Sequence, residues 1–290
     1  MYTIKMKTIV CYIAAIAFII SGIGLVYLSN RNKTAYTSGN DSGIEVPIIM
    51  YHSVLPSPHE KSKFIITPDE FEKDLIYLKE NGYKTVFMQD IIDYVNGKGA
   101  LPEKPIVLTL DDGYYNNFYY VFPLLKKYNA KAVISIVGAY TDMYSEISDK
   151  NPLYAHLSWD DINKMKESGY VEFQNHSYNL HSLNKGRNGS KKKTGETPSQ
   201  YEEFLKSDLE KLQYEFAEHT GYEPTIYTYP FGSVSEASFD IIKRMGFAGS
   251  FCCAGKTNYI KKGDHEGLFM LNRFIRTPQK SVSSILTAKK

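Results

Sequence analysis

From Val46 to Phe274 short apolar runs alternate with segments that carry helix start and stop signals. That alternation constrains the fold more than any other feature of the chain. Val46–Tyr51, Ile106–Leu110, Ala132–Val137, Val171–Asn175, Ile226–Tyr229, Phe247–Phe251 and Leu268–Phe274 read as strands. Thr67-Pro-Asp-Glu70 supplies an N-cap, a proline at the first helical position and an acid three residues on, and Asn81-Gly82 ends that helix. Ser158-Trp-Asp-Asp161 caps a helix that stops at Gly169, and Thr197-Pro-Ser-Gln200 opens a long one closed by Gly221. Asn116–Lys127 and Glu236–Met245 complete the helical set. Strands alternating with helices imply a parallel sheet, and the simplest form is a distorted (β/α)7-8 barrel over residues 46–290. Such barrels run to roughly 250 residues and keep their chemistry at the C-terminal strand ends. Reactive residues should therefore fall just after strands.

The N-terminus reads differently. Lys5 and Lys7 precede an uncharged run whose apolar heart, Ile9–Leu28, is 20 residues. At 1.5 Å per residue it spans roughly 30 Å, a hydrocarbon core. Residues 1–30 are expected to be an uncleaved signal-anchor, a single transmembrane helix, and residues 31–45 a polar stalk. A cleaved signal peptide is the alternative, although no small-x-small site follows Leu28. Arg31 and Lys33 balance Lys5 and Lys7, so charge does not set the orientation.

Composition excludes more than it assigns. Hydrophobic residues make up 43%, which excludes a wholly disordered chain, and a net charge of +2 gives no field that would recruit nucleic acid. Three cysteines, with Cys11 isolated and Cys252 beside Cys253, make no disulfide framework. Asn184–Glu196 is basic and turn-rich; it reads as a solvated loop, with a contact to an anionic polymer as the alternative.

Four groups fall where the barrel rule requires. Asp111-Asp112-Gly113 follows Ile106–Leu110. Adjacent carboxylates repel, and a cation on one relieves the repulsion and leaves the other free as a base. His176 and His181 follow Val171–Asn175 and can converge on one ion across a turn. Two histidines and one aspartate make a three-ligand set with open positions, the catalytic pattern for zinc. Tyr51-His52 ends the first strand. Tyr229-Pro230-Phe231-Gly232 ends another in a turn whose backbone N–H could meet an oxyanion. His59, His156, His219 and His265 read as surface residues.

The order Tyr-His, Thr-Leu-Asp-Asp-Gly, Ser-Trp, His-Ser-x-x-x-His, Tyr-Pro-Phe-Gly resembles the polysaccharide deacetylases, the NodB-homology or carbohydrate esterase family 4 proteins. Within them it is most similar to the poly-N-acetylglucosamine deacetylase branch. The resemblance implies Asp111 as general base and Asp112, His176 and His181 as ligands of a divalent ion, zinc by first expectation with cobalt, nickel and iron also accepted. It implies His52 as general acid, because the late Leu271-Asn272-Arg273 lacks the histidine that the wider family carries there. It implies Phe231 as the oxyanion N–H donor, with Tyr229 beside it. Thr228 stands where the family has an arginine, and Arg273 is the candidate replacement partner for the base.

The activity implied is hydrolysis of N-acetyl groups on a surface polysaccharide, releasing acetate, with the domain outside the cell membrane. Peptidoglycan, chitin oligomers and acetylxylan are alternative substrates. A catalytically inactive carbohydrate-binding protein on the same fold is a second reading. A non-haem Fe(II) oxygenase, which also uses two histidines and a carboxylate, is a third.

Overall fold

The computed structural model describes residues 43–57, 62–184 and 186–288. The expected anchor over residues 1–30 and most of the stalk lie outside them. Among the described residues no helix is long and apolar enough to cross a membrane.

Eight strands make one parallel sheet: β1 Ile48–Tyr51, β2 Lys84–Thr85, β3 Pro105–Asp112, β4 Ala132–Ile136, β5 Val171–Asn175, β6 Ile226–Thr228, β7 Gly249–Phe251 and β8 Phe274–Ile275. Their order is β7-β6-β5-β4-β3-β1-β8, with β2 against β3. The sheet is a curled half-barrel, more open than the distorted (β/α)7-8 barrel expected from the strand count. β6 and β7 have three residues each and β8 has two, too few to complete a ladder. The edges meet at one isolated bridge, Phe251 with Leu271. Gly249 permits that approach, since a Cβ there would stand 2.4 Å from the Leu268 carbonyl oxygen. The last strand accordingly starts at Phe274, with Glu266–Leu268 a 3-10 turn before it. Pro47 has no N–H to give a ladder. It splits the first apolar run, and Ile44–Val46 pairs antiparallel with Asn258–Ile260. The domain thus begins inside the segment expected to be stalk.

The helices are α1 Pro68–Glu80, α2 Met88–Val95, α3 Phe122–Tyr128, α4 Gly138–Ile147, α5 Trp159–Glu167, α6 Pro198–Thr220, α7 Ser238–Arg244 and α8 Val282–Thr287. α1, α5 and α6 start at Thr67, Ser158 and Thr197 with reciprocal capping boxes, as their sequences foretell. A π-helical turn at Asn117–Val121 leads into α3.

Alternation along the strands sorts the core. Ile49, Leu108, Leu110, Ile134 and Phe173 pack outward against Phe71, Leu75, Leu125, Ile162 and Leu212 of the helix layer. Ile48, Val107, Val133, Ile226 and Phe251 pack against Met88, Ile91, Ile92 and Val95, so α2 plugs one end of the curled sheet. Glu172 holds the plug: its carboxylate accepts the Met88 and Gln89 N–H groups at 3.2 and 3.0 Å. Further along the same inward rows the side chains turn polar, with Thr109, Ser135, Gln174 and Thr228 wholly buried. They pair internally, Ser135 Oγ with Thr228 Oγ1 at 2.7 Å and the Thr109 hydroxyl donating to the Ile49 carbonyl at 3.0 Å. The next inward residue of β3 is Asp111.

The basic excursion is solvated at Gly186, Asn188, Lys191, Thr194 and Gly195 but carries more order than a plain loop. Leu183–Asn184 and Arg187–Asn188 form a small antiparallel hairpin. Arg187 is bidentate to Glu196 and lies 3.6 Å over the Phe204 ring.

Candidate active site

Asp111 and Asp112 end β3, where a regular pleat would send them to opposite faces. Asp112 instead has φ of 73°, and Gly113 follows at 70°, with its missing Cβ leaving room for Ile136. The left-handed turn brings both carboxylates into the electrostatic reach of His52 and His176.

Arg273 comes from the segment just before β8. Its Nη1 donates to Asp111 Oδ1 at 2.7 Å and its Nη2 to Oδ2 at 2.8 Å, with the guanidinium fully buried. Burial alone would raise the Asp111 pKa. The Arg273 charge and its paired hydrogen bonds outweigh it and hold the carboxyl below the usual range. Arg273 also donates to the Cys252 carbonyl at 3.2 Å, which fixes the plane of its fork.

Asp112, His176 and His181 present ligand atoms that all lie within 4.8 Å of one another. Asp112 Oδ1 is 3.5 Å from His176 Nε2 and 3.2 Å from His181 Nε2. Donors about 2.0–2.1 Å from one tetrahedral zinc stand roughly 3.3 Å apart, so these spacings fit a shared ion. Two further observations support the fit. Asp112 Oδ1 is sealed from solvent with no hydrogen-bond partner. His176 Nδ1 lies 2.8 Å from the Thr228 carbonyl, which can only accept, so Nδ1 carries the proton and Nε2 aims a lone pair at Asp112. A carboxylate oxygen facing two imidazole nitrogens at these distances suits a divalent cation held between them.

The loop that carries His181 is tied down by backbone bonds. Asp208 of α6 accepts the Tyr178 and Asn179 N–H groups at 2.7 and 2.9 Å, and Asn175 Oδ1 accepts that of Ser177, whose φ is 74°. Burial pushes the Asp208 pKa up to about 6.

His52 stands across the hollow, Nε2 4.0 Å from Asp111 Oδ2, its ring against Phe64. Burial lowers its pKa, with the two aspartates opposing. Phe231 sits on the rim with a left-handed φ of 58° and its ring 4.3 Å from that of His181. Tyr229 does not join the group. Its side chain is buried among Tyr227, Ile241 and Phe247, and its hydroxyl is paired with Ser238 Oγ at 2.6 Å.

Two residues that the sequence reading passed over border the site. Tyr114, next after Gly113, is partly buried beside Asp112, and burial together with the Asp112 charge raises its pKa well above the ordinary phenol range. His156, read as a surface residue, is half-buried between the rings of Tyr114, Tyr140 and Tyr144, 4.5 to 5.5 Å away. Burial lowers its pKa to about 4. The Asp-Asp-Gly-Tyr run was the available signal for Tyr114; nothing local distinguishes His156. His219 and His265 are exposed as expected, His219 stacked on Trp159, and His59 lies outside the described residues.

A parallel half-barrel thus gathers an arginine-held aspartate and a His-His-Asp cluster at its strand ends. A family model for polysaccharide deacetylases matches residues 98–250, and the chain belongs to that family. The match contains Asp111, Asp112, His176, His181 and Phe231; His52 and Arg273 come from the flanks. A poly-beta-1,6-N-acetyl-D-glucosamine N-deacetylase of Escherichia coli is 24% identical over 220 residues, 69% of this chain and 32% of that protein. The chain thus spans about a third of that relative's length. A Staphylococcus epidermidis protein of the same name is 22% identical, over 71% of this chain and 67% of its own. Among solved structures, a de-N-acetylase from Aggregatibacter actinomycetemcomitans superposes with a TM-score of 0.71 at 29% identity, covering 84% of this chain and 99% of that one. IcaB from Ammonifex degensii gives 0.68 at 26% identity, covering 86% and 99%.

Proposed function

We propose that the protein is a metal-dependent hydrolase that removes N-acetyl groups from an N-acetylglucosamine-containing polysaccharide, releasing acetate. The observation that carries this reading is the pairing of an arginine-held carboxylate, Asp111, with the adjacent Asp112–His176–His181 cluster. The relatives named for N-deacetylation of poly-N-acetylglucosamine support that polymer as substrate.

Asp112, His176 and His181 would hold the ion, zinc by preference, and what a bound divalent ion supplies is polarisation of an amide carbonyl and of attacking water. Asp111, kept ionised by Arg273, accepts the proton of that water at Oδ2. The proton passes to His52 Nε2, 4.0 Å away, and from there to the departing nitrogen. The relay suits a histidine that burial leaves neutral before the reaction. The Phe231 N–H on the rim donates to the carbonyl oxygen as charge gathers there, an effect worth roughly 3–4 kcal/mol per donor in other hydrolases. A polymer substrate also gives the apolar N-terminal run a purpose: anchored in the cell membrane, the domain meets surface sugars from outside.

The test is acetate release by the full-length protein from N-acetylglucosamine oligomers, with added zinc or cobalt and with chelator. Acetate that chelator removes and metal restores supports the proposal. A bound ion without acetate points to acetylxylan or peptidoglycan, and no bound ion to a carbohydrate-binding protein.

A further inference from the structure

We infer that Asn117, with Asn116 beside it, is a positioning residue for His52; the inference rests on the reading of His52 as the group that protonates the departing nitrogen. His52 follows the last rung of β1, Tyr51 against Leu110. The chain then pairs with a different neighbour, Ser53–Val54 with Ile65–Ile66. His52 thus lies in a one-residue gap between two ladders, and its backbone must find a partner outside them. Asn117 supplies one, its Nδ2 donating to the His52 carbonyl at 3.0 Å. The same Nδ2 donates to Asn116 Oδ1 at 3.0 Å, and that oxygen accepts the Val54 N–H at 3.0 Å. Asn116 Nδ2 donates to Ser53 Oγ at 2.9 Å and to the Pro152 carbonyl at 3.2 Å. Two adjacent amides therefore hold His52, Ser53 and Val54 in turn.

Both asparagines are wholly buried. Asn117 opens the π-helical turn that leads into α3, an irregularity frequent at functional sites. Its Oδ1 is sealed and unpartnered, so the N–H is the end of the side chain that bonds. The imidazole of His52 has no hydrogen bond of its own to fix it. Its Nδ1 is sealed and unpartnered, its Nε2 stands 4.0 Å from Asp111 Oδ2, and its ring meets that of Phe64 at 4.7 Å between centroids. The approach to Asp111 is therefore set by the backbone that Asn117 holds and by the Phe64 ring. Displacing a catalytic group by about 1 Å can cost roughly 100-fold in rate.

The experiment measures kcat and KM of the full-length wild type, Asn117→Ala and His52→Ala with added zinc, with melting temperatures alongside. Two substrates are compared, N-acetylglucosamine oligomers and 4-nitrophenyl acetate. An amide nitrogen needs a proton to depart, and a nitrophenolate does not. Asn117→Ala should lower kcat on the amide roughly 100-fold, with KM near wild type, and lower the ester rate far less. His52→Ala should show the same bias, larger. Asn117→Asp keeps the shape and replaces the N–H donor by an oxygen, so it should carry the bias too and serves as the test where the alanine variant does not fold. In a crystal structure of Asn117→Asp the His52 ring should have left its 4.0 Å approach to Asp111. Equal losses on both substrates, or an unmoved ring, overturn the inference and leave His52 as the acid. A His52→Ala variant without the bias overturns the acid reading itself.

Discussion

Arg273 and Asp111, 162 residues apart in sequence, meet as a buried fork-to-fork pair at 2.7 and 2.8 Å. The geometry is one that only arginine supplies, since a lysine offers a single point charge. Arg273→Lys should keep the metal cluster and lower kcat by roughly 100-fold, the scale of a misplaced catalytic group. The pH profile adds a signature. The Asp111 carboxyl is held below its ordinary value chiefly by this guanidinium acting against burial, so loosening the pair must raise its pKa. The acid limb of kcat/KM should therefore move to higher pH in Arg273→Lys. An unmoved limb would mean that Asp111 does not control it.

Asp208 anchors the His181 loop through two backbone N–H groups. Asp208→Ala leaves both unmet, which should cost about 2 kcal/mol of stability and weaken metal binding together. Asp208→Asn retains one acceptor oxygen and should recover part of each. Denaturant midpoints and zinc titrations on the same samples check this, and an Ala variant with unchanged affinity would show that the loop does not depend on the anchor.

Glu172 makes stability depend on pH. Burial raises its pKa from 4.5 to about 7 despite the bonds from α2. Between those values the folded state holds a proton that the unfolded state has lost, so stability falls as pH rises through this window and levels off above about 7. The full fall is on the order of 3 kcal/mol. Glu172→Gln cannot ionise, so its unfolding free energy should vary less between pH 5 and 8 than the wild type's. Parallel curves for the two proteins would contradict the assignment.

What the sequence made legible, and what it did not, follows from the range of each signal. Capping boxes and strand-end positions are local, so α1, α5 and α6 and the residues Asp111, Asp112, His176 and His181 could be read directly. α2 carries its apolar face at Met88, Ile91, Ile92 and Val95, a helical spacing that was visible in principle, but its start has no Ser, Thr, Asp or Asn cap. The cap is supplied from Asp90 and, across the fold, from Glu172. Tyr229 followed a strand as Asp111 and His176 do, yet its side chain turns into the core while Phe231, two residues on, stands on the rim. The burial of His156 depends on Tyr140 and Tyr144 from a helix whose start has no side-chain cap. Arg187 looked solvated because its partners, Glu196 and Phe204, are reached only through the hairpin.

The central claim is that Asp111 does chemistry while Asp112 and the two histidines hold an ion, and Asp111→Asn tests it most directly. The variant should bind one zinc per chain with wild-type affinity and release no acetate from N-acetylglucosamine oligomers, whereas Asp112→Ala should lose both ion and acetate. Wild-type acetate release by Asp111→Asn would contradict the account.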